Sequence, residues 1–213
     1  KLFAKNCASC HRYDGHDGLH RQPKDPQSAS DLKGFATRAW IGGLLDPEKV
    51  GSTNYFGGTK FKDGKMAKYV KKDAAGFSAT EKEQLQKVIM ALSAEAQLKS
   101  QREADHRDAA AIAEGRTLLA NDTMRCTECH QFRKPNEDTS GPDLTGYGSR
   151  EWLIGIITNP KHERFYGKRN DRMPAFGSDQ ILDAASLGLI VDWLRGEWYE
   201  TPGKVGGNAS SAH

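Results

Sequence analysis

The sequence predicts an all-α chain made of two tandem domains of one fold, joined by a helical connector. Three observations predict it. Strand signals are nearly absent, with no sustained apolar/polar alternation of β-branched or aromatic residues. The block Asp31-Leu-Lys-Gly-Phe-Ala-Thr-Arg-Ala-Trp40-Ile returns as Asp143-Leu-Thr-Gly-Tyr-Gly-Ser-Arg-Glu-Trp152-Leu at one constant offset of 112 residues. No glycine or proline falls between Gly76 and Gly115, where helix formers dominate. A repeat that keeps its landmarks in order marks two copies of one unit.

The elements follow in chain order. Domain 1 (residues 1–94) opens on a short helix, Lys1–Asn6. Thr37 and Ser149 are N-cap residues, and Trp40/Leu44 and Trp152/Ile156 keep i, i+4 spacing on one helix face. Each of these helices ends at a proline, Pro47 and Pro160. Each is followed by an aromatic pair and glycine, Tyr55-Phe56-Gly57 and Phe165-Tyr166-Gly167. A basic loop with one methionine comes next (Met66, Met173), then an amphipathic closing helix, Thr80–Ala94 and Gln180–Glu197. Residues 95–114 read as a largely helical connector, of which one long helix is the extreme form, running toward a helix over Asp105–Thr123. Domain 2 spans 115–200. The tail, 201–213, is rich in Gly, Ser, Asn and Ala and reads as flexible.

The chemistry is concentrated in two pentapeptides, Cys7-Ala-Ser-Cys10-His11 and Cys126-Thr-Glu-Cys129-His130, which use all 4 cysteines of the chain. C-x-x-C-H is the attachment pattern of c-type haem: two thiols bond the porphyrin and the adjacent imidazole binds iron. Zinc is the first rival, but paired zinc knuckles stand about 15–20 residues apart, whereas Cys7 and Cys126 are 119 apart. Disulfides are the second, and cysteines so close in sequence close too short a loop to stabilise much. A thioredoxin-like motif would need a βαβ setting that is missing here. The expected cofactors are therefore two covalently attached haem c groups.

Composition agrees with that expectation. Only 37% of the 213 residues are hydrophobic, and the mean hydropathy is −0.72. Side chains alone make a lean core at this length, and two porphyrins would add apolar volume. No run approaches the roughly 18 apolar residues of a membrane helix.

The order C-x-x-C-H, then Gly141-Pro142-Asp143-Leu144, then Arg172-Met173-Pro174-Ala175-Phe176, then a closing helix with Trp193, resembles class I cytochrome c. The resemblance covers nearly the whole chain, once per repeat. The wording of repeat 1, notably Trp40-Ile-Gly-Gly-Leu-Leu-Asp-Pro, is similar to the paired haem domains that accompany or are fused to bacterial bc-type cytochrome b. The resemblance implies that the first helix of each domain packs on that domain's closing helix. Leu118/Leu119 would then meet Trp193/Leu194, and Phe3 would meet Ile89/Leu92. It also implies axial ligation by Met66 and Met173 opposite His11 and His130, and cover of the proximal histidine by Pro142. Repeat 1 departs from the pattern: Ala29-Ser30 replaces Gly-Pro, and Met66-Ala67 replaces Met-Pro.

Other residues are weighed beside these. Met90 and Met124 read as packing. His16, His20, His106 and His162 read as surface histidines, with His16 or His20 the replacement ligand should Met66 not serve. Arg38 and Arg150 recur beside Trp40 and Trp152, and a guanidinium there would suit a haem propionate. The formal charge is +3, which two haems would bring near neutral. Residues 59–72 hold six lysines against one aspartate, and 161–172 hold five basic residues against two acidic. Both stretches lie in the methionine loops and would steer an acidic redox partner. No aromatic-basic pattern suggests nucleic acid.

The leading functional expectation is a non-enzymatic electron carrier, working with redox partner proteins that include a membrane cytochrome b complex. Because haem c is attached outside the cytoplasm, the expected location is periplasmic. The chain shows neither initiator methionine nor signal peptide, and reads as processed or as a piece of a longer protein. The alternatives are a dihaem, peroxidase-like enzyme and a gas sensor, each of which needs one open iron.

Overall fold

In the computed structural model, residues 1–135 and 139–197 are described. Among them are eight α-helices and no strand, so the all-α expectation holds. In order they are α1 (Leu2–Asn6), α2 (Arg38–Leu44), α3 (Lys65–Lys72), α4 (Ala79–Glu95), α5 (Arg102–Arg107), α6 (Ala109–Leu118), α7 (Arg150–Thr158) and α8 (Ala184–Leu194). The tail, 201–213, and the end of domain 2 lie outside the described residues.

Local sequence sets the helix starts. Thr37 accepts from the Trp40 backbone N–H and Ser149 from that of Trp152, each such cap contributing about 1 kcal/mol. α4 opens with a complete capping box between Ser78 and Glu81. Asp183 caps α8 by accepting from Ser186.

The repeat recurs as matched hydrogen bonds. The Trp40 indole donates to the Asp31 carbonyl at 3.0 Å, and the Trp152 indole to the Asp143 carbonyl at 2.8 Å. Backbone bonds Phe56→Val50 and Gly57→Ser52 are mirrored by Tyr166→Pro160 and Gly167→His162. The helix stops match as well: Asp46 Oδ1 accepts from the Glu48 N–H at 2.9 Å around Pro47, and Asn159 Oδ1 from the Lys161 N–H at 3.1 Å around Pro160.

The connector is largely helical, as expected, but in separate pieces rather than one long helix. α4 ends at Glu95, and Gln97 takes the left-handed conformation (φ 53°). A 3-10 turn over Lys99–Gln101 and α5 then carry the chain around, so that α6 returns along α4. Arg38 fastens this turn-back: it donates to Asp105 at 2.7 Å and pairs with Asp108. α4 and α6 come close because of Gly115, where a Cβ would stand 2.0 Å from the Lys87 carbonyl oxygen.

The largest difference from expectation lies in which helices pair. α6, which leads into the second motif, packs on α4, the closing helix of repeat 1; α1, which leads into the first motif, packs on α8, the closing helix of repeat 2. The Phe3 ring lies 5.1 Å from that of Trp193, and Tyr13 stacks on the same indole at 4.2 Å. The two repeats have exchanged their first helices. The expected pairings of Phe3 with Ile89/Leu92, and of Leu118/Leu119 with Trp193/Leu194, are corrected accordingly. Lys87 and Glu114 bridge α4 and α6 at 2.7 Å. Glu95, buried at the end of α4, accepts from Arg116, Arg133 and the Gly146 N–H.

Between the repeats, matching residues meet face to face. Phe35 lies 5.3 Å from Tyr147. Ala36 and Gly148, both in the left-handed region (φ 63° and 74°), abut so closely that a Cβ on Gly148 would stand 2.2 Å from that of Ala36. Only one of the pair has room for a methyl group.

Candidate functional site

Each C-x-x-C-H motif forms a tight turn in which the histidine N–H bonds the first cysteine's carbonyl, at 2.8 Å for His11→Cys7 and 3.0 Å for His130→Cys126. The second cysteine's carbonyl receives two N–H groups from a loop farther on: Ser28 and Ala29 for Cys10, Ser140 and Gly141 for Cys129. That loop then supplies a carbonyl to the imidazole. His11 Nδ1 lies 2.8 Å from the Ser30 oxygen and His130 Nδ1 lies 2.7 Å from the Pro142 oxygen. With Nδ1–H donating to a fixed carbonyl, the tautomer is set and Nε2 carries the lone pair.

This geometry explains why Ser30 can stand where repeat 2 has Pro142: the acceptor is the main-chain carbonyl, whatever the side chain. Gly141 is more exacting, since a Cβ there would lie 2.4 Å from the His130 ring.

Burial pushes both imidazole pKa values down, against the carbonyl hydrogen bonds, which act in the other direction. Both rings are therefore held neutral, the state in which imidazole binds a metal. The Cys7 thiol is pushed up to about 12 by burial and then by Cys10; that of Cys126 rises to about 12, mainly by burial. All four cysteines are free and half-buried. Among the described residues no three of His, Cys, Asp and Glu stand together as a metal-binding group. None of the four cysteines is bridged to another.

The donor set suits a covalently held haem at each motif: two thiols at the right spacing, one neutral imidazole with a fixed tautomer, and a thioether available elsewhere. Met66 and Met173 are half-buried, and both pack against the core. The Asn170 side chain donates to the Met173 carbonyl at 2.9 Å, which fixes that loop. Met124 is fully buried just ahead of the second motif.

Several sequence candidates find other partners. Arg38 is engaged with Asp105 and Asp108, and the Arg150 Nε donates to Asp192 at 2.7 Å. Both guanidiniums, expected at haem propionates, tie helices together here. Trp40 and Trp152 spend their indole N–H groups on the carbonyls already described. His16 Nδ1 accepts from the Gly18 N–H at 2.9 Å, and His162 Nδ1 from the Arg164 N–H. Each therefore shapes its own loop.

Sequence reasoning missed Arg12 and Tyr69. Arg12 is buried directly after the first motif and donates to the carbonyls of Ala8, His11 and Asp25, pinning the turn. The Tyr69 hydroxyl donates 2.9 Å to the Met124 carbonyl, two residues before Cys126. A charged residue inside a cofactor turn is a faint signal for the first. Nothing local signals the second.

The two basic stretches meet. Lys60 pairs with Asp171 at 3.5 Å, and the Phe61 and Tyr166 rings stack at 6.2 Å. The two stretches therefore touch through these side chains. A separate groove of about 520 Å³ runs between α1 and α8, lined by Leu2, Phe3, Leu189 and Trp193, and holds no motif residue. No described helix is long and apolar enough to cross a membrane.

Compared with protein-family models, with curated proteins and with solved structures, the chain matches none.

Proposed function

We propose that this chain is a dihaem c-type cytochrome that passes electrons between redox partners. The observation that carries this reading is the duplicated imidazole geometry: two C-x-x-C-H motifs, each with Nδ1 held by a main-chain carbonyl at 2.7–2.8 Å. Haem iron, once bound, changes oxidation state without a net change in its ligands. The chain's own residues do the rest. Cys7 and Cys10 hold one group and Cys126 and Cys129 the other, and His11 and His130 supply one neutral imidazole each. Met66 and Met173 supply thioethers, and methionine ligation raises the reduction potential.

The two basic stretches, which touch at Lys60–Asp171 and Phe61–Tyr166, support weak, fast docking of an acidic redox partner. The likeness of repeat 1 to the haem domains of bc-type complexes supports a place beside a membrane cytochrome b, on the extracytoplasmic side.

The test is haem stoichiometry by alkaline pyridine, followed by an optical redox titration with carbon monoxide added to the reduced protein. Two covalent haems, positive potentials and no carbon monoxide shift are expected. No covalent haem would sink the proposal. A carbon monoxide shift in half the haem would mean one open iron and put a peroxidase-like enzyme or gas sensor in its place.

A further inference from the structure

We infer that axial ligation is crossed between the repeats: the iron held by His11 takes Met173, and the iron held by His130 takes Met66. The inference rests on the proposed function and adds to it the pairing of ligands.

The motifs have changed partners with respect to the closing helices. The first motif is flanked by α1 and Tyr13, and both lie against Trp193 of α8; a Cβ on Gly18 would also come within 3.2 Å of that indole. The second motif is led by α6, which lies on α4, and Arg133 just after it is anchored to Glu95 at the end of α4.

Each methionine travels with its own closing helix. Met66 sits in the first turn of α3, and α3 passes through the 3-10 turn Ala74–Gly76 directly into α4. Met173 precedes α8 by a short loop, which the Phe176 N–H ties to the Ile157 carbonyl of α7, and α7 packs on α8.

A direct link completes the case for the second motif. Tyr69, three residues and so about one turn along α3 from Met66, donates to the Met124 carbonyl. The Cys126 Sγ donates to that same oxygen at 3.4 Å. α3, which carries Met66, is thus fastened to the chain that bears Cys126, Cys129 and His130. Tyr166 and Asp171, in the loop before Met173, reach Phe61 and Lys60 across the boundary where the loops pass one another.

The deciding experiment uses the full chain carrying Cys7→Ser and Cys10→Ser, which leaves haem at the second motif alone. Crossed ligation predicts that adding Met66→Leu abolishes the far-red methionine-sulfur band of the oxidised protein, while adding Met173→Leu leaves it intact. Loss with Met173→Leu and retention with Met66→Leu overturns the inference. Should the single-haem protein fail to fold, proton NMR of the reduced dihaem protein decides. Each bound methionine methyl is shifted far upfield, and Met66→Leu assigns one of the two. Cross-relaxation from that methyl to the thioether protons of Cys126 and Cys129 supports crossing; cross-relaxation to those of Cys7 and Cys10 overturns it. A parent protein without covalent haem, or without any methionine-sulfur band, overturns this inference too. That failure is read before any methionine is changed, so it is told apart from a wrong pairing.

Discussion

The Phe3 ring, at the start of the chain, lies 5.1 Å from the ring of Trp193, close to the end of the last helix. Through this contact the first C-x-x-C-H motif is held by a helix from the opposite repeat. The contact predicts measurable coupling. A double-mutant cycle on Phe3→Leu and Trp193→Leu should give an interaction energy of about 1 kcal/mol by denaturant unfolding. The cycle of Phe3→Leu with Leu92→Ala should give none beyond error. Coupling to Leu92 instead would mean that the first helices are not exchanged.

Ala36 and Gly148 form a complementary pair with room for one methyl group. Gly148→Ala should lower the midpoint of thermal unfolding by several degrees, the overpacking costing about 1–3 kcal/mol. Adding Ala36→Gly should recover most of that loss, since it moves the methyl group to the other repeat. A double variant no better than the single one would show that the two positions do not touch.

Glu95 collects two guanidiniums and one backbone N–H from repeat 2. Glu95→Gln removes the charge but keeps the shape, and should cost on the order of 2 kcal/mol. The loss should be far smaller in an Arg116→Gln, Arg133→Gln background, measured by urea unfolding.

Glu81 and Asp183 cap α4 and α8. The Ser78 N–H holds the Glu81 carboxyl below its ordinary range, and the Ser186 N–H does the same for Asp183. Because the folded values are depressed, these caps contribute fully above the unfolded values of about 4. The contribution is lost as pH falls through the folded values. Thermal unfolding should therefore weaken between about pH 5 and pH 3, and a Glu81→Gln, Asp183→Asn variant should show a shallower fall. An unchanged slope would remove the caps from the acid limb.

How much of this the sequence discloses depends on the range of the forces involved. The caps at Thr37 and Ser149, and the equivalence of Trp40 with Trp152, follow from neighbours within four residues, and the structure has them. The turn at the connector does not follow: helix propensity over 95–114 is high throughout, and the break at Gln97 comes from Arg38 capturing Asp105 and Asp108 from the far side. The exchange of first helices is invisible for another reason. Two repeats with matching apolar faces say that a first helix meets a closing helix, and they do not say whose. That choice falls to the turn-back and to single contacts such as Gly115 on Lys87.

The crossing also sets an order of assembly opposite to the order of synthesis. Among the described helices α1 is made before all others, yet the helix that packs on it, α8, is made after all of them. Joining ends that lie almost the whole chain apart is slow, because the intervening loop must close before the contact gives anything back. The second motif, by contrast, emerges when α4 already stands beside it. The half that is translated later can therefore mature earlier. The first cysteine pair waits without its packing partner until α8 arrives.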